Sequence, residues 1–284
     1  EWRHRDPRLR QFQYGETKDR RRHNDAKGDD VLVVAPVDTT AAAALVTQAQ
    51  AQGIKVITYD SSVLGAKPDY QVERNNTAAG RMHAEAALAA VPSGNYAIIR
   101  GDQSSSVAQG MGAAYDELLL TNPGINVVYD QWTPGWDAAQ AQKNAEAALV
   151  ANNNDIDAFI VSWDDGAQGV AQALKSAGVA ANDVYVTGTD GAVPSLKNIA
   201  DGWQDMSVWT RIDQMATSAA DIAHALGTGE ALPTPDTTSA AGVPIRNAEL
   251  IAVDEPGLCD FLTSIAPAGW ATPQDILGSS TACD

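Results

Sequence analysis

Two short apolar stretches and the helical pattern between them decide the fold. The stretches are Asp30-Val-Leu-Val-Val-Ala-Pro36 and Lys55-Val-Ile-Thr-Tyr-Asp60. Both are brief and rich in β-branched residues, which is typical of buried strands. Between them, an alanine-rich stretch over 39–52 starts near the capping residues Asp38 and Thr39 and stops at Gly53, which predicts a helix. This order predicts two parallel strands joined by a crossover helix.

The same alternation continues along most of the chain. Further strands are expected at 70–72, 95–100, 126–129, 158–162, 184–187 and 205–209, and further helices at 77–90, 105–121, 137–152, 166–177, 193–201 and 212–227. A Pro/Thr-rich linker around 232–238 and a loop-rich tail follow. Because these elements exceed one sheet, the sequence predicts an α/β protein with two Rossmann-like, doubly wound lobes built on parallel sheets.

Charge is distributed unevenly over the 284 residues. Nine of the 19 Lys and Arg residues lie in residues 1–30 beside seven acidic ones, which leaves ten basic against 29 acidic residues afterwards, a net charge of −19. A strongly acidic protein surface repels phosphate groups, so nucleic acid and phosphorylated substrates are poor candidate partners. A neutral small molecule is the expected ligand.

Neither a membrane span nor a signal peptide is readable in the sequence. No run approaches the roughly 20 consecutive apolar residues that a span needs. The first residues, Glu1-Trp-Arg-His-Arg5, lack the apolar core of a signal peptide. We therefore expect a soluble chain whose export signal has been removed or lost.

The two cysteines and four histidines do not suggest a metal site. Cys259 and Cys283 are too few for a zinc site without histidine ligands, and His83 and His224 fall within helical patterns. We expect neither a metal nor a cofactor. The cysteine pair is compatible with one disulfide in an exported protein or with two free thiols.

Polar and aromatic residues recur where the predicted strands end. In open α/β sheets ligands bind beyond the carboxyl ends of the strands. The residues found there are Asp38, Asp60-Ser61-Ser62, Asn75-Asn76, Asp102, Ser104-Ser105-Ser106, Trp132, Trp136, Trp163-Asp164-Asp165, Asp190 and Trp209-Thr210-Arg211. Carboxylates and amides hydrogen-bond paired hydroxyls, and indole faces stack on the C–H face of a sugar ring. Taken singly, each Asp could be a helix cap and each Trp a core residue, but their recurrence favours a sugar site.

Catalytic interpretations have less support. The sequence has no Gly-x-Ser-x-Gly, no phosphate-binding Gly-Lys-Ser/Thr loop and no cysteine near a histidine. Asp164 and Asp165 could form a glycosidase acid/base pair, but neighbouring carboxylates on one helical turn point apart. We expect a binding protein and not an enzyme.

Several longer stretches are similar to those of xylose-binding receptors of sugar ABC importers. They include Asp130-Gln-Trp-Thr-Pro-Gly-Trp136, Ala151-Asn-Asn-Asn-Asp-Ile-Asp-Ala158 and Gly188-Thr-Asp190, and the similarity runs from residue 29 to about 250. The resemblance implies two lobes joined by three crossovers, near 102–104, 209–212 and 238–244, with a sugar held between them by hinge closure. It also implies delivery of the sugar to a membrane permease, a monomeric protein, and a periplasmic or lipid-anchored, extracytoplasmic location.

The resemblance also assigns roles to individual positions. The family's stacking tryptophan and hydroxyl-binding aspartate fall on Trp136 and Asp190, and Asp164 lies beside them in the predicted site. The family's residues differ at five positions, which are Ser61 (Arg in the family), Ser105 (Asp), Val107 (Asn), Trp163 (Asn) and Thr210 (Lys). These changes remove both cationic donors and add an aromatic ring, so we expect a neutral pentose, hexose or related polyol instead of xylose itself.

The first 28 residues do not fit the predicted fold. The family begins with a strand, a loop, a helix and a second strand, whereas residues 1–28 hold a charged run around Asp19-Arg-Arg-Arg-His23 and few apolar positions. We expect this segment to be disordered and the N-terminal lobe to lack its first strands. A frame-shifted or misassigned start is the preferred explanation, and a genuine divergent tail is the alternative. The predicted lobes are 29–102 with about 211–240, and 103–210 with about 241–284.

Two other functions share this fold. A ligand-sensor domain of a sugar-responsive transcription regulator would need a helix-turn-helix ahead of the first strand, for which residues 1–28 are too short. A receptor that presents its sugar-bound form to a chemoreceptor cannot be separated from a transport receptor by sequence.

Overall fold

The computed structural model describes residues 30–284. The strands are β1 (Val31–Val34), β2 (Lys55–Asp60), β3 (Tyr70–Arg74), β4 (Gly94–Arg100), β5 (Ile125–Trp132), β6 (Ala158–Val161), β7 (Tyr185–Val186), β8 (Met206–Thr210), β9 (Thr237–Thr238), β10 (Pro244–Ala248) and β11 (Leu250–Asp254). The α-helices are α1 (Ala42–Ala51), α2 (Asn76–Ala90), α3 (Ser106–Leu118), α4 (Ala138–Ala151), α5 (Asp164–Ser176), α6 (Val193–Ala200), α7 (Ile212–Thr228), α8 (Leu258–Asp260) and α9 (Pro273–Leu277). The expectation for residues 1–28 lies outside the described residues.

The chain divides into two units. The first takes in the described residues up to Arg74, together with Ser104–Ser106 and Ile212–Ala248. The second comprises Asn75–Gln103, Val107–Arg211 and Glu249–Asp284. The chain therefore changes unit after residues 74, 103, 106, 211 and 248.

The first unit is built on a five-stranded sheet in the order β1-β2-β3-β10-β9. Its pairs are parallel except for β9 with β10. Side chains alternate between the faces of a strand, so the neighbours Val56 and Ile57 of β2 enter different clusters. Val56 packs with Val46 of α1, and Ile57 packs with Met215 and Ile222 of α7. One helix thus covers each face of β2.

The second unit holds a parallel sheet in the order β5-β4-β6-β7 and an antiparallel pair of β8 and β11. The alternation of β4 again sorts its side chains into two clusters. Ile98 packs with Met111 of α3, whereas Ile99 packs in the cluster that contains Leu149 of α4 and Val170 of α5. The predicted α/β architecture with parallel-sheet lobes is confirmed.

The unit boundaries differ from those expected from the sequence. Strand β4 was expected in the N-terminal lobe, but it pairs with β5 and β6 and so belongs to the second unit. Strand β10 lies beyond the expected boundary at 240, but it pairs with β3 of the first unit. Both differences follow from the hydrogen bonds between strands, which the order of the elements along the chain does not reveal.

Two further features bear on the tail and on membranes. The structure joins Cys259 and Cys283 in a disulfide, the first of the two alternatives left open by the sequence. Among residues 30–284, no helix has both the length and the apolar character needed to cross a bilayer.

Candidate functional site

Two tryptophans meet where β5 and β6 of the second unit end. Trp136 lies in the 3-10 turn Pro134–Trp136 after β5, and Trp163 lies between β6 and α5. Their ring centroids are 5.5 Å apart with an interplanar angle of 84°, a favourable edge-to-face arrangement. The indole of Trp136 also lies against Gly101, where a Cβ atom would overlap the ring. Only glycine at 101 allows this approach.

The indole N–H of Trp163 has no hydrogen-bond partner within residues 30–284. Its side chain is 6% exposed and packs on Gly166 in the first turn of α5. Among the residues that the structure describes, none accepts a hydrogen bond from its indole Nε1. A buried N–H without a partner costs about 1–3 kcal/mol. Trp163 therefore keeps its place against this cost through its packing on Gly166 and Trp136.

Asp190 occupies a strained turn between β7 and α6. It is exposed, and its φ is 114°, followed by a φ of 63° at Gly191. The backbone N–H of Asp190 donates to Val208 O at 3.0 Å, and that of Gly191 donates to Ser207 Oγ at 3.0 Å. A non-glycine residue with such a φ costs about 1–3 kcal/mol and persists only where its surroundings hold it. Residues of this kind cluster at functional sites.

Asp164 lies beneath this turn and is fully buried. Its carboxylate accepts hydrogen bonds from Gln204 Nε2 at 3.0 Å, Ser207 Oγ at 2.9 Å and Ala192 N at 2.7 Å. Burial raises the pKa of Asp164 well above its usual range, and the charge of Asp190 raises it further. The structure therefore gives Asp164 a clear role in holding the turn, while the predicted contact of Asp164 with a ligand stays a prediction.

His83 supports the same turn from α2. Its Nε2 lies 2.8 Å from Gly188 O and 3.1 Å from Thr189 Oγ1, and its Nδ1 lies 2.8 Å from Tyr115 Oη. Donation from Nε2 to the Gly188 carbonyl requires the tautomer whose Nδ1 accepts from the tyrosine hydroxyl. The sequence placed His83 only within a helical pattern, because a contact with a residue 105 positions away leaves no local signal.

In the first unit, the loop after β2 and the segment Ser104–Ser106 form one cluster. Ser62 N donates to Ser106 Oγ at 2.8 Å. Ser61 and Ser105, both predicted site residues, are buried at this end of the sheet. The structure thus gathers two predicted residues of the first unit that lie 44 positions apart.

Two other strand-end positions are defined by their local contacts. Asp38 Oδ1 accepts from Thr40 N and Ala41 N at 2.8 and 2.7 Å, in the turn that precedes α1, whose N-cap residue is Ala41. Thr210 is buried at the end of β8 and is paired in register with Leu250 of β11.

The sequence signature of the periplasmic binding protein domain matches residues 26–231. The chain belongs to the periplasmic binding protein family. The D-xylose-binding periplasmic protein of Escherichia coli (strain K12) is 36% identical over 240 residues, which are 82% of this chain and 72% of that protein. The corresponding protein of Haemophilus influenzae is 35% identical over 72% of this chain and 62% of its own length. These relatives confirm the resemblance seen in the sequence.

Solved structures of periplasmic binding proteins share the fold. A solute-binding protein of an ABC transporter from Clostridium phytofermentans with bound β-D-glucose superposes with a TM-score of 0.80, at 24% identity over 90% of this chain and 85% of that one. A Caulobacter myo-inositol-binding protein superposes with a TM-score of 0.74, at 22% identity over 84% of this chain and 78% of that one. At these identities the likeness establishes the fold alone.

Proposed function

We propose that this periplasmic binding protein captures a neutral sugar or polyol outside the cytoplasm and delivers it to an ABC importer. The observation that carries the proposal is the grouping, in the second unit, of the Trp136–Trp163 pair with the turn of Asp190. Asp164 N donates to Thr189 O at 2.9 Å, so the residue after Trp163 is bonded to the residue before Asp190. The partly buried Trp136 and the exposed Asp190 thus lie at one end of the sheet.

The chemistry of these groups suits a sugar. The face of Trp136 would stack on the C–H face of a ring, and the carboxylate of Asp190 would accept hydrogen bonds from two adjacent hydroxyls. Trp163, whose ring stands edge-on to that of Trp136, is proposed to add a second aromatic group to the site. Ser61, Ser105 and Thr210 are proposed to add neutral hydrogen-bonding groups.

The relatives support the ligand class without fixing the ligand. The two curated relatives bind D-xylose, and the structural neighbours hold β-D-glucose or myo-inositol. We propose that Trp163, Ser61 and Thr210 change which hydrogen bonds the site can form with a ligand, so that xylose is not the preferred ligand. Ser61 and Thr210 are neutral where the resemblance places an Arg and a Lys, and Trp163 is aromatic where it places an Asn.

The remaining parts of the proposal concern partners and location. The relatives are binding proteins, which favours a receptor without enzymatic activity. We propose that it acts as a monomer and hands its ligand to a permease. The Cys259–Cys283 disulfide supports a location outside the cytoplasm, because disulfides persist in oxidising compartments.

Isothermal titration calorimetry and thermal unfolding with D-xylose, D-glucose, D-ribose, xylitol and myo-inositol test the proposal. A ligand at a hundredfold excess over its Kd stabilises the folded protein by about 2.7 kcal/mol. Trp136→Ala should weaken binding at least tenfold. The matched control is Trp203→Ala, since Trp203 is a partly buried tryptophan of the same unit that contacts Lys175. If no compound of the panel binds the wild-type protein, the proposed ligand class is wrong.

Trp163→Asn tests specificity separately. This change restores the residue type that the resemblance places at 163, and it removes an indole whose N–H has no partner in the described part of the chain. We expect the ratio of the Kd for D-xylose to the Kd of the best ligand to fall at least tenfold. An unchanged ratio would show that Trp163 does not select the ligand.

A further inference from the structure

The C-terminal segment is attached to the turn that carries Asp190. Trp270 lies between Cys259 and Cys283, which are joined by the disulfide. Its indole Nε1 donates a hydrogen bond to Gly191 O at 2.8 Å, although the two residues are 79 positions apart. Its ring also stands edge-on to that of Trp209, with centroids 6.1 Å apart. The tail therefore reaches the backbone next to Asp190.

The same segment covers the helix that follows the turn. Leu196 and Ile199 of α6 share one apolar cluster with Phe261 and Ile276 of the tail, and Trp270 packs at its border. Helix α6 begins directly after its N-cap residue Ala192. The tail thus contacts both the turn and the first element after it.

The turn needs such support because of its backbone conformation. Two successive residues, Asp190 and Gly191, have positive φ angles, and the first carries a side chain. Ser207 and Asp164 bind the N–H groups of Gly191 and Ala192 from below. Trp270 binds the carbonyl of the same peptide segment from the tail, so the turn is held from two separate parts of the chain.

We propose that Trp270 is a positioning residue for Asp190, and that the Cys259–Cys283 disulfide keeps Trp270 in place, so that ligand affinity depends on the disulfide. The effect on affinity rests on the proposed function, whereas the effect on the order of the turn does not. Loss of the bond from Trp270 leaves Asp190 intact but less often in its binding geometry.

Hydrogen exchange and calorimetry on the same variants test the proposal. Trp270→Phe keeps an aromatic ring against Trp209 but removes the N–H donor, and Cys259→Ser with Cys283→Ser opens the segment. In both, we expect the amides of residues 190–192 to exchange at least fivefold faster, with unchanged exchange in β4 and β6. Affinity for whichever of D-glucose, D-xylose or myo-inositol binds the wild-type protein should fall about 3- to 10-fold, the range for one hydrogen bond.

A change at Trp203 serves as the control. Trp203→Phe removes an indole of the same unit that does not bond to the turn, and it should change neither exchange at 190–192 nor affinity. Unchanged exchange at 190–192 in Trp270→Phe overturns the proposal, as does uniformly faster exchange throughout the second unit. If no sugar binds the wild-type protein, the proposed function fails, while exchange at the turn still decides the role of Trp270.

Discussion

Replacement of Asp190 by glycine should separate stability from binding. The φ of 114° at Asp190 costs about 1–3 kcal/mol for a residue with a side chain, and glycine relieves it. Glycine also raises the entropy of the unfolded chain, which offsets about 0.5–1 kcal/mol of the gain. The net expectation is a folded protein more stable by about 1 kcal/mol that has lost its ligand.

Asp190→Ala is the comparison that isolates the backbone contribution. It removes the same carboxylate, and with it the charge that raises the pKa of Asp164, but it keeps a Cβ atom at the strained φ. Both variants should bind sugar at least tenfold more weakly, because hydrogen bonds to a charged group contribute about 1.5–3 kcal/mol. Asp190→Gly alone should gain the stability that comes from relief of strain.

Urea unfolding followed by tryptophan fluorescence measures the difference, and calorimetry measures the binding. We expect the unfolding free energy of Asp190→Gly to exceed that of Asp190→Ala by about 1–2 kcal/mol. Equal stabilities would refute the argument that the turn is strained. Wild-type affinity in either variant would remove Asp190 from the site.

Three further predictions concern charge and the disulfide. Burial raises the pKa of Asp205 from 3.8 to about 6, so between pH 4 and 6 the folded state binds more protons than the unfolded state and stability falls as pH rises. In urea titrations, Asp205→Asn should therefore be more stable than wild type by about 1–2 kcal/mol at pH 7.5, a range that allows for the partial exposure of Asp205. Near pH 4 the two proteins should be equally stable. Removal of the Cys259–Cys283 disulfide, whose residues lie 24 positions apart, should cost about 2–4 kcal/mol in the same assay, and retention of full stability would contradict this. Arg100→Met should lower the free energy of unfolding by about 2–4 kcal/mol, because Arg100 is buried and donates two hydrogen bonds, of 2.6 and 2.7 Å, to Asp130. A decrease below about 1 kcal/mol would show that the pair contributes little to stability.

Most of the strands that the sequence predicted correctly carry apolar side chains on both faces. Val56 and Ile57 are both apolar because α1 and α7 cover opposite faces of β2, so burial leaves a continuous apolar run. Strand β10 was missed because Arg246 and Asn247 interrupt such a run. Their polarity is accommodated by Asp236, which accepts from Arg246 Nη1 at 2.8 Å and from Asn247 N at 2.8 Å.

The unit boundaries could not be predicted for a different reason. The alternation of strands and helices continues without interruption across Arg74 and Asn75, where the chain passes from the first unit to the second. Asn75 caps α2 through its side chain, as it would within a single lobe. Only the pairing of β4 with β5 and β6 reveals the change.

In the candidate site, the sequence also could not predict which of two aspartates is buried. Asp164 and Asp190 both follow strands of the second unit, and the sequence placed both in the ligand site. The structure distinguishes them by burial, since Asp164 is enclosed by three donors while Asp190 is exposed. Local sequence cannot make this distinction, because the donors Gln204 and Ser207 lie about 40 positions away.

The turn of Asp190 is held by residues from distant parts of the chain, and this determines how the site should respond to change. His83 fixes the Gly188 carbonyl from 105 positions upstream, and Trp270 fixes the Gly191 carbonyl from 79 positions downstream. Because folding already orders the turn, a ligand loses little affinity to the ordering of Asp190. The same arrangement means that substitutions at His83 or Trp270 should weaken binding without contact with the ligand, whereas substitution of Trp136 should weaken it through lost contact. Exchange at residues 190–192 distinguishes the two causes, since it should rise in the first case and stay unchanged in the second.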